Sequence, residues 1–178
     1  MSARETEMPT EALTAVRRAA LQDPDLPSGL RRALERGAAL EDIALDDRGR
    51  WWHEGVRIEH KRLSTLFHRG LEQTSSGTWL IALPPYSYPV RVARWGSFVV
   101  RLGATELTLA TGAEVPYAEV DRWLTDGEDT VLAEVGGVRA RVVGRAWHAL
   151  VPCVGEGEGG FVLQLPTGAT VPLIALPG

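Results

Sequence analysis

A repeated spacing relates the middle of the chain to its end and limits the possible folds more than any other feature. Gly55-Val56-Arg57 recurs 82 positions later as Gly137-Val138-Arg139. At the same offset a second set of residues coincides: Gly77, Trp79, Ile81 and Leu83 fall on Gly159, Phe161, Leu163 and Leu165. The two helical segments align best at an offset of 84 residues. Because the two offsets differ by two residues, each strand side chain stays on the same face of its strand under either alignment. The spacing therefore predicts two copies of one small unit.

The first copy combines strands with one helix. Residues 43–58, IALDDRGRWWHEGVRI, have the pattern of strand, turn and strand. Side chains of the second strand are predicted to alternate between two faces, with Trp51, His53 and Gly55 on one and Trp52, Glu54 and Val56 on the other. A helix is predicted near residues 61–72, with four apolar residues facing the core: Leu63, Leu66, Phe67 and Leu71. Three strands rich in β-branched and aromatic residues complete the copy.

The second copy has the same plan. VLAEVGGVRARVV alternates as strands do, and GRAWHALVPCV predicts a helix with Trp147, Leu150 and Val151 at helical spacing. GEGEGG predicts a turn before the strands FVLQL and TVPLIAL. The predicted fold class is α+β, with β-rich repeats at residues 41–110 and 111–178 that contain one helix each.

Residues 1–40 differ from both copies and predict an N-terminal helical arm. PTEALTAVRRAALQ begins with a proline, as many helices do, and SGLRRALERGAAL predicts a second helix that Ser28 caps and that ends near Gly37. Five arginines make the arm basic: Arg17, Arg18, Arg31, Arg32 and Arg36. Two interpretations remain open, a solvated helix face or a surface that binds a protein partner.

Composition limits the class of function. The chain has 178 residues, and its net charge of −4, from 19 Lys+Arg against 23 Asp+Glu, argues against nonspecific nucleic-acid binding. No apolar run approaches the length of about 18 residues that a membrane helix needs. Cys153 is the single cysteine, so no internal disulfide can form. A cytoplasmic protein that binds neither nucleic acid nor membrane is expected.

The order of these segments resembles a known family. The run DDRGRWWHEGVRIEHKRLSTLFHRGL, followed by GTWLIALPP and SFVV, is similar to the bacterial DUF1285 family, a domain of unknown function, and GVRARVVGRAWHALVPCV resembles that family's second half. The resemblance covers residues 43–175. It implies a duplicated core with a pleckstrin-homology-like C-terminal half. It also implies a pocket between the halves for a small, nucleotide-based ligand, and a role in signal transduction.

The chain departs from the family pattern at His60, at Ala93-Arg94 and at Gly144. Each departure changes the charge of the implied pocket.

No catalytic or metal-binding motif is visible. The four histidines and Cys153 form neither a helical histidine pair nor a C-x-x-C pair, so no metal site is predicted. GEGEGG fits G-x-G-x-x-G, but it precedes a strand rather than a helix, and its two glutamates repel phosphate. There is no G-x-S-x-G segment, and Cys153 is expected in the core rather than as a nucleophile. No enzyme activity and no cofactor are expected.

Basic residues gather where a strand meets the helix in each copy. If both junctions face one crevice, their arginines can bind phosphate or carboxylate while a tryptophan stacks on a base. The predicted ligand-binding residues are Arg57, His60, Lys61, Arg62, Trp95, Arg139, Arg141 and Arg145. The alternative is that the two junctions are solvated separately.

Two functional hypotheses follow. The first is a non-enzymatic regulatory module that binds a small anionic or nucleotide-like ligand between its repeats. The second is a protein-interaction domain that presents residues 1–40, or an open strand edge, to a partner.

Overall fold

The computed structural model of the protein describes residues 8–127 and 129–176. It confirms the α+β class, with four α-helices and three sheets in this part of the chain. The chain divides into two compact units between Gly96 and Ser97. This boundary lies earlier than the predicted one at residues 110 and 111, because the strands of residues 97–116 hydrogen-bond within the sheet of the second unit.

Over residues 8–96, the first unit contains three helices and seven strands. In chain order they are α1 (Met8–Gln22), α2 (Ser28–Glu35), β1 (Ile43–Leu45), β2 (Trp51–His53), β3 (Val56–Arg57), α3 (Lys61–Gly70), β4 (Leu71–Gln73), β5 (Trp79–Leu83), β6 (Tyr86–Pro89) and β7 (Arg91–Val92). One sheet has the strand order β3-β2-β1-β7, with β7 parallel to β1. The other is the antiparallel meander β4-β5-β6.

The predicted arm is part of the first unit. Ala20, Leu26 and Leu34 are buried in one cluster with Leu80 of β5, because the apolar sides of both helices need a surface to cover them. Asp23, between the helices, accepts a hydrogen bond from the hydroxyl of Thr74. Helix α2 ends at Glu35, as predicted near Gly37. The prediction that Ser28 caps it is wrong: Pro27 occupies the N-cap position, and no side chain caps the helix.

Helix α3 does not bury the predicted apolar stripe. Leu63 and Leu66 are 36% and 45% exposed, and Leu71 belongs to β4. The helix turns a different side to the core, where His68 is buried and Phe67 meets the ring of Trp51 edge-on at 5.3 Å. The residue spacing determines which side of the helix is apolar. The strand that contains Trp51 determines which side of the helix is buried.

Over residues 97–127 and 129–176, the second unit contains one α-helix and nine strands. They are β8 (Ser97–Leu102), β9 (Glu106–Leu109), β10 (Glu114–Pro116), β11 (Arg122–Thr125), β12 (Val131–Val135), β13 (Val138–Val142), α4 (Gly144–Leu150), β14 (Val154–Gly157), β15 (Gly160–Gln164) and β16 (Thr170–Ala175). Three antiparallel meanders join into one sheet of order β10-β9-β8-β13-β12-β11-β16-β15-β14. The joins are parallel, β8 with β13 and β11 with β16.

The core of the second unit lies between its strands and α4. Val99, Leu107, Ala133 and Leu150 are at most 1% exposed there. Cys153 packs against this cluster, as expected for a core residue, whereas Val151 is exposed because the helix has already given way to a short 3-10 turn. Only Glu158 and Gly159 of GEGEGG form the turn into β15, whereas Gly155, Glu156 and Gly157 belong to β14, so the turn is shorter than predicted.

The two units share one element order. In each, a three-stranded meander precedes a helix and a second meander follows it: β1 to β3, α3 and β4 to β6, and β11 to β13, α4 and β14 to β16. The matching turns also agree in backbone conformation, since Glu54-Gly55 and Gly136-Gly137 all have positive φ. The repeated sequence spacing predicts this shared plan of strands around one helix, but it misses the strands β4, β11 and β14.

Among the helices of the described residues, none is both long enough and apolar enough to cross a membrane.

Candidate functional site

One face of the four-stranded sheet in the first unit carries a row of four side chains, one from each strand. Trp52 of β2 is paired with Arg57 of β3 on one side and with Ala44 of β1 on the other, and Ala44 is paired with Arg91 of β7. Paired positions in neighbouring strands point to the same face of a sheet. With strands about 4.8 Å apart, the two arginines lie about 14 Å apart, with the indole and a small alanine between them.

The opposite face of the same strands is the core side. Trp51 is 1% exposed, because its ring lies against Phe67 and His68 of α3 at centroid distances of 5.3 and 5.5 Å. Trp51 therefore packs beneath this helix, against Phe67. The predicted alternation fails after His53, since the strand ends there and Glu54-Gly55 form a turn. His53 contacts Glu41 at 3.0 Å.

The indole of Trp52 is held in place by a carboxylate. Its Nε1 donates to Oδ2 of Asp46 at 3.0 Å, and the Arg50 guanidinium lies 5.4 Å from the centre of the ring. Arg50 Nε also donates to Asp46 at 2.7 Å. Burial raises the pKa of Asp46, but the hydrogen bonds from the Arg50 amide, the Trp52 indole and the Arg50 side chain outweigh it and lower this pKa below its usual range. The carboxylate that orients Trp52 therefore stays ionised at neutral pH.

Arg91 is oriented in the same way by Asp42. Its Nε and one terminal nitrogen donate to the Asp42 carboxylate at 2.6 to 2.8 Å. Asp42 is buried, whereas the Arg91 side chain is 40% exposed. The remaining N–H groups of the guanidinium are consequently available on the outer face.

A shallow cavity of about 320 Å³ lies over three residues of this row, Trp52, Ala44 and Arg91. Its lining combines the Trp52 ring, the two carboxylates and Arg91 with small residues that leave room above the sheet: Ala44, Gly55 and Ala93. We call the cavity together with Arg57 the Trp52 site. Arg50 lies beside the site as the partner of Asp46, so the three arginines Arg50, Arg57 and Arg91 exceed the two ion-paired aspartates by one positive charge.

Arg57 is the residue of the predicted set that belongs to the Trp52 site. It is exposed on edge strand β3, directly after the turn in which Glu54 and Gly55 have φ of 49° and 76°. Within residues 8–127 and 129–176 its side chain has no hydrogen bond or ion pair. Its guanidinium can therefore bind an anion without first breaking an internal contact.

The other predicted residues of the first unit lie elsewhere. His60 caps α3, where its Nδ1 accepts a hydrogen bond from the Leu63 amide at 3.2 Å. Lys61 and Arg62 follow in the first turn and are exposed. Trp95 stacks with the Arg94 guanidinium, 4.9 Å from the ring centre, and its buried Nε1 has no partner among the described residues.

Two of the three predicted arginines of the second unit are held by carboxylates. Arg139 Nε donates to Glu134 at 3.1 Å, and Arg122 donates to the other oxygen of the same carboxylate. Hydrogen bonds from Arg122 and Arg139 lower the pKa of Glu134. Arg141 approaches Asp129 at 3.8 Å, whereas Arg145 is exposed at the start of α4. Arg139 is consequently less available to an external anion than Arg57. That these residues share a crevice with the first unit stays a prediction.

His68 of α3 is a buried titratable residue of the first unit. It is 7% exposed, and its Nε2 lies 3.2 Å from the Gly49 carbonyl. Burial lowers its pKa to about 4, although the Gly49 contact opposes the shift. The ring is therefore neutral at pH 7.

Sequence reasoning missed most of the Trp52 site. Strand alternation was sufficient to predict that Trp52 points away from the core. The place of Asp46 in the preceding turn was sufficient to predict that it lies near Trp52. No sequence pattern predicted the pairing of β1 with β7, because it joins Ala44 to Arg91 across 47 positions of the chain.

Comparison with known proteins supports the fold. No family model and no curated protein matches the chain. A DUF1285 family protein from Silicibacter pomeroyi superposes with a TM-score of 0.54 at 18% identity, over 76% of this chain and 80% of that one. A second DUF1285 family protein, from Shewanella baltica, gives a TM-score of 0.42 at 14% identity, over 61% and 88% of the two chains. The superposition on the Silicibacter pomeroyi protein confirms the resemblance to this family at the level of the fold.

Proposed function

We propose that the first unit binds a small anionic ligand with a planar, nucleotide-like ring at the Trp52 site, as a non-enzymatic regulatory module in signalling. The observation that carries the proposal is the row Arg57, Trp52, Ala44, Arg91 across four neighbouring strands. An indole offers a stacking surface to a planar ring, and arginine forks bind phosphate or carboxylate. The alanine between them leaves room for the ligand.

The site favours anions because its aspartates are already compensated. Asp42 is paired with Arg91 and Asp46 with Arg50, so the charge of Arg57 has no internal counterpart. A hydrogen bond to a charged group contributes about 1.5–3 kcal/mol, so loss of Arg57 should weaken binding roughly ten- to a hundredfold.

The proposal keeps the ligand chemistry expected from the sequence and assigns it to the first unit. Arg57 is part of the ligand site in both the sequence-based prediction and the present proposal. Arg139 is not part of the proposed site, because it is paired with Glu134. A cytoplasmic location belongs to the proposal as well, and the free thiol of Cys153 fits a reducing compartment. The pleckstrin-homology likeness of the second unit stays a prediction.

Thermal-shift titration tests the ligand class. AMP, adenosine and inorganic phosphate are titrated to millimolar concentration, and binding to the native state raises the melting temperature. AMP is expected to stabilise the protein more than adenosine or phosphate, because it alone uses both the indole and the arginines. The stabilisation should be lost in Arg57→Ala and Trp52→Ala.

Two variants serve as controls. Arg101 is an exposed arginine of β8 paired with Glu114, so Arg101→Ala should respond to AMP like the wild type. Arg145→Ala separates the two possible positions of the ligand: unchanged binding places it in the first unit alone, and weakened binding favours the site predicted between the repeats. Absence of any response to all three compounds would refute the proposal.

A second candidate function is protein recognition through α3. Leu66 is 45% exposed and shares a shallow depression with Lys61, Arg62, Thr65 and Arg69. The helix contains no acidic residue. This surface suits a partner segment in which apolar residues are flanked by carboxylates.

The partner chemistry can be tested with a labelled synthetic helical peptide of glutamate and leucine. Fluorescence anisotropy should show binding that Leu66→Asp abolishes through charge repulsion. Val151→Asp, at an exposed apolar residue of the second unit, is the matched control. Equal binding by the two variants would exclude α3 as the recognition surface.

A further inference from the structure

The second unit contains an apolar cavity of about 250 Å³ that the proposed function does not use. Its floor consists of leucines from the core, among which Leu150 and Leu163 are 1% exposed and Leu165 is 7% exposed. Cys153 contributes to the wall, and Gln164 is the one polar side chain besides the thiol among the described lining residues. None of these lining residues is charged.

The cavity is open because its rim is made of small residues. Ala104, in the turn after β8, and Ala149, near the end of α4, are both exposed at the rim. Neither side chain is large enough to cover the leucines beneath. Binding of an apolar molecule here would remove leucine surface from water, which is favourable.

We propose that this cavity binds a small neutral aromatic molecule that carries a single N–H or O–H group. A charged ligand is excluded because no charged side chain is present to compensate the loss of its hydration. A cavity of about 150 Å³ already holds benzene in a protein core, and drug-sized ligands occupy about 300 Å³ or more. The volume therefore fits one or two fused rings, and Gln164 at the rim can pair with the polar group.

Cys153 reports on occupancy of the cavity. It is the only cysteine of the chain, and its thiol lies 3.5 Å from the Ala149 carbonyl, partly buried in the wall. A molecule in the cavity covers the thiol and slows its alkylation. The thiol serves as a probe in this experiment and has no assigned chemical role.

The test follows alkylation of Cys153 by iodoacetamide, with mass spectrometry, at increasing concentrations of indole. Indole is expected to slow the reaction at least fivefold in a saturable manner, whereas benzoate, a charged aromatic molecule, leaves the rate unchanged. An unchanged rate at 5 mM indole, or equal protection by benzoate, overturns the proposal.

Variants at the rim show where the protection arises. Ala149→Leu and Ala104→Leu each fill the mouth of the cavity, and indole should no longer slow alkylation in either. Two rim positions are substituted so that, if one variant misfolds, the other still tests the proposal. A misfolded variant is recognised by its circular dichroism spectrum. Ala113→Leu, an exposed position in the turn at the other end of β9, is the control and should keep full protection. Protection that persists in a folded rim variant overturns the assignment.

Discussion

The indole N–H of Trp52 donates a 3.0 Å hydrogen bond to the carboxylate of Asp46, on the face of the sheet opposite to the side chain of its neighbour Trp51. The adjacent tryptophans therefore have different roles. Trp51 is enclosed by the core of the first unit, with its Nε1 unpaired among the described residues, whereas Trp52 is a half-buried ring on the face where we propose that a ligand binds.

Truncation of the two tryptophans should separate stability from binding. Trp51→Ala is expected to lower the free energy of unfolding by about 3–5 kcal/mol, because it leaves a cavity beneath α3. Trp52→Ala should cost about 1–2 kcal/mol, since it loses one hydrogen bond to a charged group and little buried surface. Urea unfolding measures both. Equal losses would contradict the assignment of the two faces.

Stability should fall in mildly acidic solution because of His68. Burial lowers its pKa from 6.5 to about 4, so between these values the unfolded chain binds a proton that the folded protein excludes. Above pH 6.5 the titration of His68 does not reduce the free energy of unfolding. As the pH falls from 6.5 towards 4, it lowers the free energy of unfolding by about 3 kcal/mol in total.

Urea unfolding at pH 7 and pH 4.5 tests the role of His68. The His68→Leu variant should lose less stability than the wild type over this interval, whatever its stability at pH 7. His148 is exposed, and His148→Gln is the control, with a pH dependence like that of the wild type. Parallel pH profiles for all three proteins would refute the prediction.

The ion pair of Arg91 with Asp42 should contribute more to stability than an exposed pair. Arg91→Leu leaves the buried Asp42 carboxylate without its partner and should cost about 2 kcal/mol, a value reduced by the partial exposure of the arginine. Arg101→Leu removes an exposed partner of Glu114 and should cost less than about 1 kcal/mol. Chemical denaturation of both variants gives the comparison, and a similar cost for each would count against a structural role of Asp42.

The turn between β2 and β3 contains a residue in an unfavourable conformation. Glu54 has φ of 49°, and the matching position of the second unit is Gly136 with φ of 55°. Asparagine tolerates this region and is favoured in two-residue hairpin turns. Glu54→Asn should therefore raise the free energy of unfolding by about 0.5–1 kcal/mol. Glu59→Asn, at an exposed residue with negative φ, should show no such gain in the same urea titration.

Local signals were sufficient for the shared plan of strands around one helix, although they missed the strands β4, β11 and β14. The repeated Gly-Val-Arg segment indicated two equivalent hairpins, and the backbone of both turns agrees. Leu63, Leu66 and Phe67 indicated a helix at the correct place, because periodicity depends on residues within a few turns of one another. Which side of that helix would be covered was predicted incorrectly, since burial depends on the neighbour that the fold supplies.

The sequence by itself determined the α+β class, the duplicated order of strands and helices, and Arg57 as an exposed cation beside a tight turn. Only the tertiary structure decided that β7 lies parallel to β1, so that Arg91 faces Ala44 and Trp52 in one row. It also decided that Glu134 engages Arg139 while Arg57 has no such partner among the described residues. The physical reason is that strand pairing and ion pairing join residues far apart in the chain, and residue periodicity contains no information about those contacts.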